Sequence, residues 1–346
     1  MRHTLLSIVV AVRNDNYGGD FNYRLQNFIK WNSRLLEEYK VPTEIILVNW
    51  NPLLNAPPLT ESITLPVNLS FVKFRMLTVS PEIHTEYCRP EMRFVVPMFE
   101  FIAKNVGIRH ARGEFILCTN ADVLVHPEII RFISAGQLNS GCFYRAHRLD
   151  FSKTQELSVT NFFEKATVVS LVAFAYWFGN SFIPKTLQFS WFKLYNNLRI
   201  WFEMFRFRNR FVFEKLRVSV TYDNAAFYCH CNTSGDFMLM HHTHWHFLKG
   251  YPEETYVSTH TDSLFTFMAY AHLKREHVFG APVFHQEHER RYTWKAIETD
   301  SKFSEMFNWF QQQARQMLKL NSAIVYNNND WGLNSYTVEE TAIGKE

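Results

Sequence analysis

The chain lacks most of the features that would mark a specialised architecture. Cysteine is scarce, at five in 346 residues. Cys88, Cys118, Cys142, Cys229 and Cys231 are odd in number and their spacing suggests no disulfide framework, which predicts a reducing, cytoplasmic setting. Charge imbalance is also small. A formal net charge of +3 gives no whole-molecule argument for nucleic acid as a partner, so any basic effect must be local. No internal repeat is visible. The opening MRHTLLSIVVAVRNDN has a short apolar run but no small-residue cleavage chemistry after it, so it reads as a buried first strand and not as a secretion signal. What is abundant is apolar and aromatic side chain, 47% and 16% of residues with 33 Phe, enough for one large core or two small ones.

Buried strand-length runs alternate with helical patterns through the first half. Leu5–Val12, Glu44–Asn49 and Phe115–Thr119 read as strands, with a further strand expected near Leu69–Met76. Helices are expected over about Tyr23–Tyr39, Phe94–His110 and from Pro127 onward. That alternation predicts an α/β fold with a mostly parallel sheet covered on both faces. Ligands of such sheets bind beyond the carboxyl ends of the strands, and Asn14-Asp15, Asn49-Trp50-Asn51 and Asn120-Ala121-Asp122 all fall at such ends.

Asp122, just past a buried strand and beside Asn120, is placed to offer hard oxygen ligands to a divalent cation that bridges a nucleotide diphosphate. The same three residues also suit an Asx turn that ends a strand. Late in the chain, VFHQEHERR carries His285 and His288 after a short apolar run, and the plain alternative is two surface histidines in a charged loop. Cys229-His230-Cys231 and the cluster His241, His242, His244 and His246 suggest zinc at first sight. One intervening residue between the cysteines does not fit the usual ligand spacing, however.

Several stretches, taken together and in order, resemble the family-2-like glycosyltransferases of the GT-A fold, in the bacterial subset with an RND-x-x-GG opening. They are VVAVRNDNYGGDF, EIILVNWNP, IAKNVGIRHARGEFILCTNADVL, CFYRAHRLD, SGDFMLMHHTHWHFLKGYPE, HTDSLF and VFHQEH. The resemblance implies a Rossmann-like nucleotide-sugar fold and a metal-assisted, inverting transfer to a glycan or lipid-linked acceptor, in bacterial cell-surface polysaccharide assembly. It implies donor-binding roles for Arg13, Asn14, Asp15, Asn49, Asn105, Arg109, Arg112 and Asn120. It places a metal (Mn²⁺ or Mg²⁺) on Asp122, Asn120 and His285. The base that takes the acceptor's proton would be Asp262, with Asp236 as second choice. Arg290 and Arg291 would help hold the diphosphate. The chain departs from the family at Asn120, in place of the first Asp of Asp-x-Asp, at Asn49, where an acidic residue is usual, and at Thr261, in place of a Glu.

The middle of the chain is different in kind. Ala166–Ile183 carries no charge and approaches the roughly 20 residues that span a bilayer, but a single crossing would separate the two motif sets that one active site needs. Trp191, Trp201, Phe202 and Phe205 then recur at helical spacing among Lys185, Lys193, Arg199, Arg206, Arg208 and Arg210. This is the pattern of an interfacial helix on an anionic membrane surface; the alternative is a helical subdomain packed on the core. The expected organisation is a nucleotide-sugar-binding half over 1–150, an inserted helical region over 151–216, an acceptor-binding and catalytic half over 217–320, and a surface tail over 321–346. The expected location is cytoplasmic, peripheral on the inner face of the plasma membrane. Rival readings are a catalytically inactive nucleotide-sugar-binding relative and a membrane-surface scaffold.

Overall fold

The computed structural model describes residues 3–87, 96–151, 229–231, 233–253, 260–289 and 301–344. These belong to one unit assembled from both halves of the chain, Met1–Lys153 and Asn224–Glu346. The aromatic-basic stretch from residue 152 to 228, Cys88, Arg290 and Arg291 lie outside the described residues.

Four parallel strands form the centre: β1 (Leu6–Val12), β2 (Thr43–Trp50), β3 (Val72–Val79) and β4 (Phe115–Thr119). Every residue of β1, β2 and β4 is buried, because helices cover both faces and leave no polar side for alternation. The sheet order β11-β3-β2-β1-β4-β8-β6-β9 is completed by β6 (Phe143–Arg145), β8 (Phe237–His241), β9 (Glu276–Val278) and β11 (Glu339–Ile343). The α/β architecture expected from the sequence is therefore present, with antiparallel strands added at β8 and β11.

Helix α1 (Phe21–Glu38) puts Leu25, Phe28, Ile29, Leu35 and Leu36 into the core. After the short α2 (Leu59–Ser62) and α3 (Pro81–Tyr87), helix α4 (Glu100–His110) runs back along the other face. Gly107 explains how close α4 lies: a Cβ there would sit 2.3 Å from a Val9 methyl. The helices α5 (Pro127–Ser134), α6 (His242–Leu248), α7 (Thr261–Leu273) and α8 (Ser301–Leu320) complete the shell. Among the described residues no helix is long and apolar enough to cross a membrane.

The C-terminal stretch is a correction. Expected as a surface tail, it supplies β11, antiparallel to β3 at the sheet edge, and buries Trp331 and Leu333 against the core. Asn105 and Arg109 of α4, and Arg112 just beyond its end, are all expected at the donor site; the side chain of Asn105 meets the 251–253 turn, and those of Arg109 and Arg112 meet this C-terminal stretch. Asn105 donates to the carbonyl of Tyr251 (2.8 Å) and to Glu253 (2.9 Å). Arg109 donates to the Trp331 carbonyl (2.9 Å) and lies over its ring, and Arg112 pairs with Glu340 (2.8 Å). Asn105 and Arg109, four residues apart, share one helical stripe, whereas Arg112 lies past the extended Ala111 that ends the helix.

Candidate functional site

The carboxyl ends of β1, β2 and β4 meet a second, small sheet of order β5-β10-β7, built from β5 (Val123–Leu124), β7 (Arg148–Phe151) and β10 (Val283–Gln286). Its register builds the site. Pairing sets His285 opposite Val123 on one side and opposite Asp150 on the other, and the Gln286 N–H donates to the Asp122 carbonyl (3.0 Å). Helix α1 fixes the same segment from below: Trp31 donates to the Val125 carbonyl (2.8 Å), and Asn32 exchanges hydrogen bonds with Val123 and Val125 much as a strand would.

Three ligand atoms from distant parts of the chain converge there. Single atoms of Asp122, His285 and His288 lie within 4.8 Å of one another, the one such group of three among the described residues. His285 Nε2 is 3.7 Å from Asp122 Oδ1, and His288 Nε2 is 3.3 Å from Asp122 Oδ2. Behind His285, Asp150 Oδ1 lies 2.8 Å from Nδ1 as an ion pair outside hydrogen-bond alignment, and a carboxylate so placed raises the basicity of a metal-binding histidine. Asp122 Oδ1 is buried with no hydrogen-bond partner. A solvent-inaccessible carboxylate oxygen facing an imidazole nitrogen is what a cation ligand requires, so the residues present fit a divalent metal.

Charge at the cluster is tuned by its neighbours. Burial opposes ionisation of Asp122, but His288, His285 and Arg24 together outweigh it and hold the carboxyl below its ordinary value. Burial likewise disfavours protonated His285, and Asp150 and Asp122 reverse this to raise it. Arg24, in α1, reaches Asp122 Oδ2 at 3.1 Å and also donates to the Tyr17 and Gly19 carbonyls. Gly18 in the same loop has φ +68°, and any Cβ would strike His288 Nδ1 at 2.5 Å. Glycine there lets the Asn14–Asp20 loop close over the histidine.

A second polar chain leads away from the cluster. Arg148 pairs with Asp150 (3.1 Å) and Asp236 (2.9 Å), and Asn120 donates to Asp236 (2.8 Å). The fully buried Lys104 ammonium donates to Asn120 Oδ1 (2.6 Å), Glu100 (2.6 Å) and the Gly235 carbonyl (2.9 Å). Asn120, expected as a ligand, is thus placed between Lys104 and Asp236, its Oδ1 accepting from the ammonium and its amide donating to the carboxylate. Asp262, near the start of α7, accepts from the Gly235 and Ser263 N–H groups (2.9 and 2.8 Å). Burial pushes its carboxyl above the ordinary aspartate value.

Arg13 and Asn14 rim the same edge. Arg13 donates to the Asn51 carbonyl (2.7 Å) and pairs with Asp15 (2.6 Å), while Asn14 latches onto the loop after β2 through Leu53 and Pro57. Asn49 is buried with its Oδ1 unpartnered. Asn105, Arg109 and Arg112 are not brought to this edge. Arg112 sits at the opposite end of the strands, where its N–H donates to Glu44 at the start of β2. Sequence reasoning missed Arg24, Asp150 and the grouping of His288 with Asp122. The two-residue gap between His285 and His288 was the available signal for the last.

The cysteines and remaining histidines form no comparable centre among the described residues. Cys229 and Cys231 are buried free thiols with their sulfurs 3.4 Å apart, and His230 pairs with His147 (2.8 Å).

No protein-family model and no curated protein matches this sequence. Among solved structures, the chain is similar to S. aureus TarS 1-349 in complex with UDP-GlcNAc, at 14% identity and TM-score 0.45 over 96% of this chain and 71% of that one. It is also similar to the mannosyltransferase PcManGT from Pyrobaculum calidifontis in complex with GDP-Man and Mn²⁺, at 13% identity and TM-score 0.39 over 92% and 75%. Against a further TarS 1-349 structure the identity is 13% and the TM-score 0.41, over 82% of this chain; the match spans 60% of that chain's length.

Proposed function

We propose that this chain is an inverting glycosyltransferase that moves a sugar from a nucleotide-diphosphate donor to a glycan or lipid-linked acceptor. The observation that carries the reading is the convergence of Asp122, His285 and His288 at the carboxyl edge of a parallel sheet, with Asp122 Oδ1 buried and unpartnered. Two imidazoles and one carboxylate favour Mn²⁺ over Mg²⁺. A divalent cation held there supplies compensation for the charge that develops on the leaving diphosphate. In this reading the rim residues Arg13, Asn14, Asp15 and Asn49 bind the nucleoside end of the donor, and Asp150 raises the basicity of His285. Asp262 accepts the acceptor hydroxyl's proton; burial raises its carboxyl and so strengthens it as a base, while the Asp236 carboxylate is already paired with Arg148.

The aromatic-basic stretch Lys185–Arg210 holds the enzyme on an anionic membrane beside a lipid-linked acceptor. Sedimentation with anionic liposomes that is weakened by salt supports this part; sedimentation indifferent to lipid charge rejects it.

The activity is tested by screening a panel of nucleotide sugars for Mn²⁺-dependent hydrolysis without acceptor. Hydrolysis is expected with at least one donor and is lost with chelator or with Asp122→Ala, while Asp262→Asn keeps donor binding and loses transfer. Donor binding without turnover of any donor, with or without acceptor, points to the inactive nucleotide-sugar-binding relative.

A further inference from the structure

We propose that Arg24 keeps the Asp122 cluster weak for a bare divalent cation, so that cation and diphosphate bind together; this rests on the reading of that cluster as a cation site. The Arg24 side chain is 3% exposed, so its charge is screened by protein and not by water. It stands 3.1 Å from Asp122 Oδ2, the same oxygen that His288 Nε2 approaches at 3.3 Å. That leaves Oδ1 as the oxygen free to meet a cation. The local charge balance is lean. Asp122, Asp150 and Asp236 are three carboxylates, and they face the two guanidiniums of Arg24 and Arg148. A divalent cation arriving alone meets a carboxylate already neutralised by Arg24. One arriving with a diphosphate brings its own counter-charge, and the guanidinium then attracts the pair.

Arg24 also holds the loop that such a diphosphate would meet. Its second terminal nitrogen donates to the Tyr17 and Gly19 carbonyls. That loop in turn packs on His288 through Gly18 and through the edge of the Tyr17 ring, at 5.4 Å between centroids. One buried side chain therefore touches the proposed cation ligand and the glycine loop together. Its main chain is tied to the cluster as well, because Gln286 donates to both the Arg24 and Asp122 carbonyls.

The test is equilibrium dialysis of the full chain with Mn²⁺, with and without excess inorganic pyrophosphate. The parent should hold Mn²⁺ weakly alone and about tenfold or more tightly with pyrophosphate. Arg24→Gln should tighten retention of Mn²⁺ alone by about tenfold and shrink the gain from pyrophosphate, whereas Arg24→Lys, which keeps the charge, should behave as the parent. A merely structural arginine would give the opposite sign, since loosening Asp122 weakens the cation. Unchanged or weaker retention by folded Arg24→Gln overturns the inference. If that variant does not fold, absence of a pyrophosphate gain in the parent overturns it. Equal Mn²⁺ retention by the parent and by Asp122→Ala is a different result: it removes the cluster reading itself, and the role of Arg24 with it.

Discussion

The two ends of the parallel sheet each bury a carboxylate against an arginine, and they do so to different effect. At the amino ends, Glu44 Oε2 meets Arg75 at 2.5 Å, while its Oε1 accepts from the Ser7 hydroxyl (2.5 Å) and the Arg112 N–H (2.6 Å). Arg75 also reaches Glu340 and the His110 carbonyl. No fully buried polar side-chain atom of Ser7, Glu44 or Arg75 is left without a hydrogen-bond partner. At the carboxyl ends, Asp122 Oδ1, Arg24 Nε and Asn49 Oδ1 are all buried and unpartnered. Buried polar groups left open cost free energy, so a cluster of them on one edge, with a closed network of the same chemistry on the other, separates a place built for a ligand from one built for rigidity.

The largest effect should come from breaking the closed end. Glu44→Ala leaves Arg75 with only the partly exposed Glu340 as carboxylate partner and takes the acceptor from the Ser7 hydroxyl and the Arg112 N–H; it should lower unfolding free energy by about 3–5 kcal/mol, read by urea denaturation. A loss under about 1 kcal/mol would mean that the amino-end network is no more than an exposed pair in disguise. At the open end, Asp150→Asn should leave the unfolding midpoint nearly unchanged, since Asp150 is 41% exposed. It should weaken Mn²⁺ retention about 10–100-fold, as removal of a carboxylate behind a metal ligand does. An unaltered metal affinity would show that His285 needs no such partner.

The two ends should also respond to pH with opposite sign. Hydrogen bonding to Arg75 holds the Glu340 carboxyl below its ordinary value against some burial. Its contribution is therefore present above the unfolded value and is lost as pH falls through the folded one. Burial raises Asp262 despite its backbone hydrogen bonds, so that carboxylate becomes a stability cost as pH rises from the ordinary aspartate value through the folded one. Relative to the parent, Glu340→Gln should lose ground between acid and neutral pH, and Asp262→Asn should gain it. Thermal midpoints across that range measure both, and parallel pH trends for the two variants would break the contrast.

How much of this was legible in the sequence follows from what each signal depends on. The runs of β1, β2 and β4 announced themselves because a doubly covered strand is apolar throughout, and strand ends were marked by Asn14-Asp15, Asn49 and Asn120-Ala121-Asp122. The tail was misread because β11, EETAI, is an edge strand with its glutamates exposed, and charged edge strands look like loops. Arg24 sits in an amphipathic helix where an arginine ordinarily reads as part of the solvated face. Asp150 and His285 acquire meaning only through a pairing between strands more than a hundred residues apart, which no local pattern encodes.

Arg112 gives the smallest expected effect and the sharpest discrimination. The run KNVGIRHARGEF places it just before the metal-motif strand, so sequence order suggests a donor contact. The chain direction argues otherwise: helix α4 ends at the amino edge, and β4 must then cross the whole sheet before Asp122 is reached. Seven strand residues of β1 separate the two edges by roughly 20 Å, more than twice the ~8 Å over which exposed charges act at physiological salt. Arg112 is itself 62% exposed, paired with a Glu340 that is 34% exposed, and pairs of this kind contribute about 0.2–1 kcal/mol. Arg112→Ala should therefore cost no more than that in stability and leave donor affinity within twofold of the parent. Thermal shift with the donor found by hydrolysis measures both in one experiment. A tenfold loss of donor affinity without a matching loss of stability would put a donor contact at the amino edge and dissolve the division between the two ends.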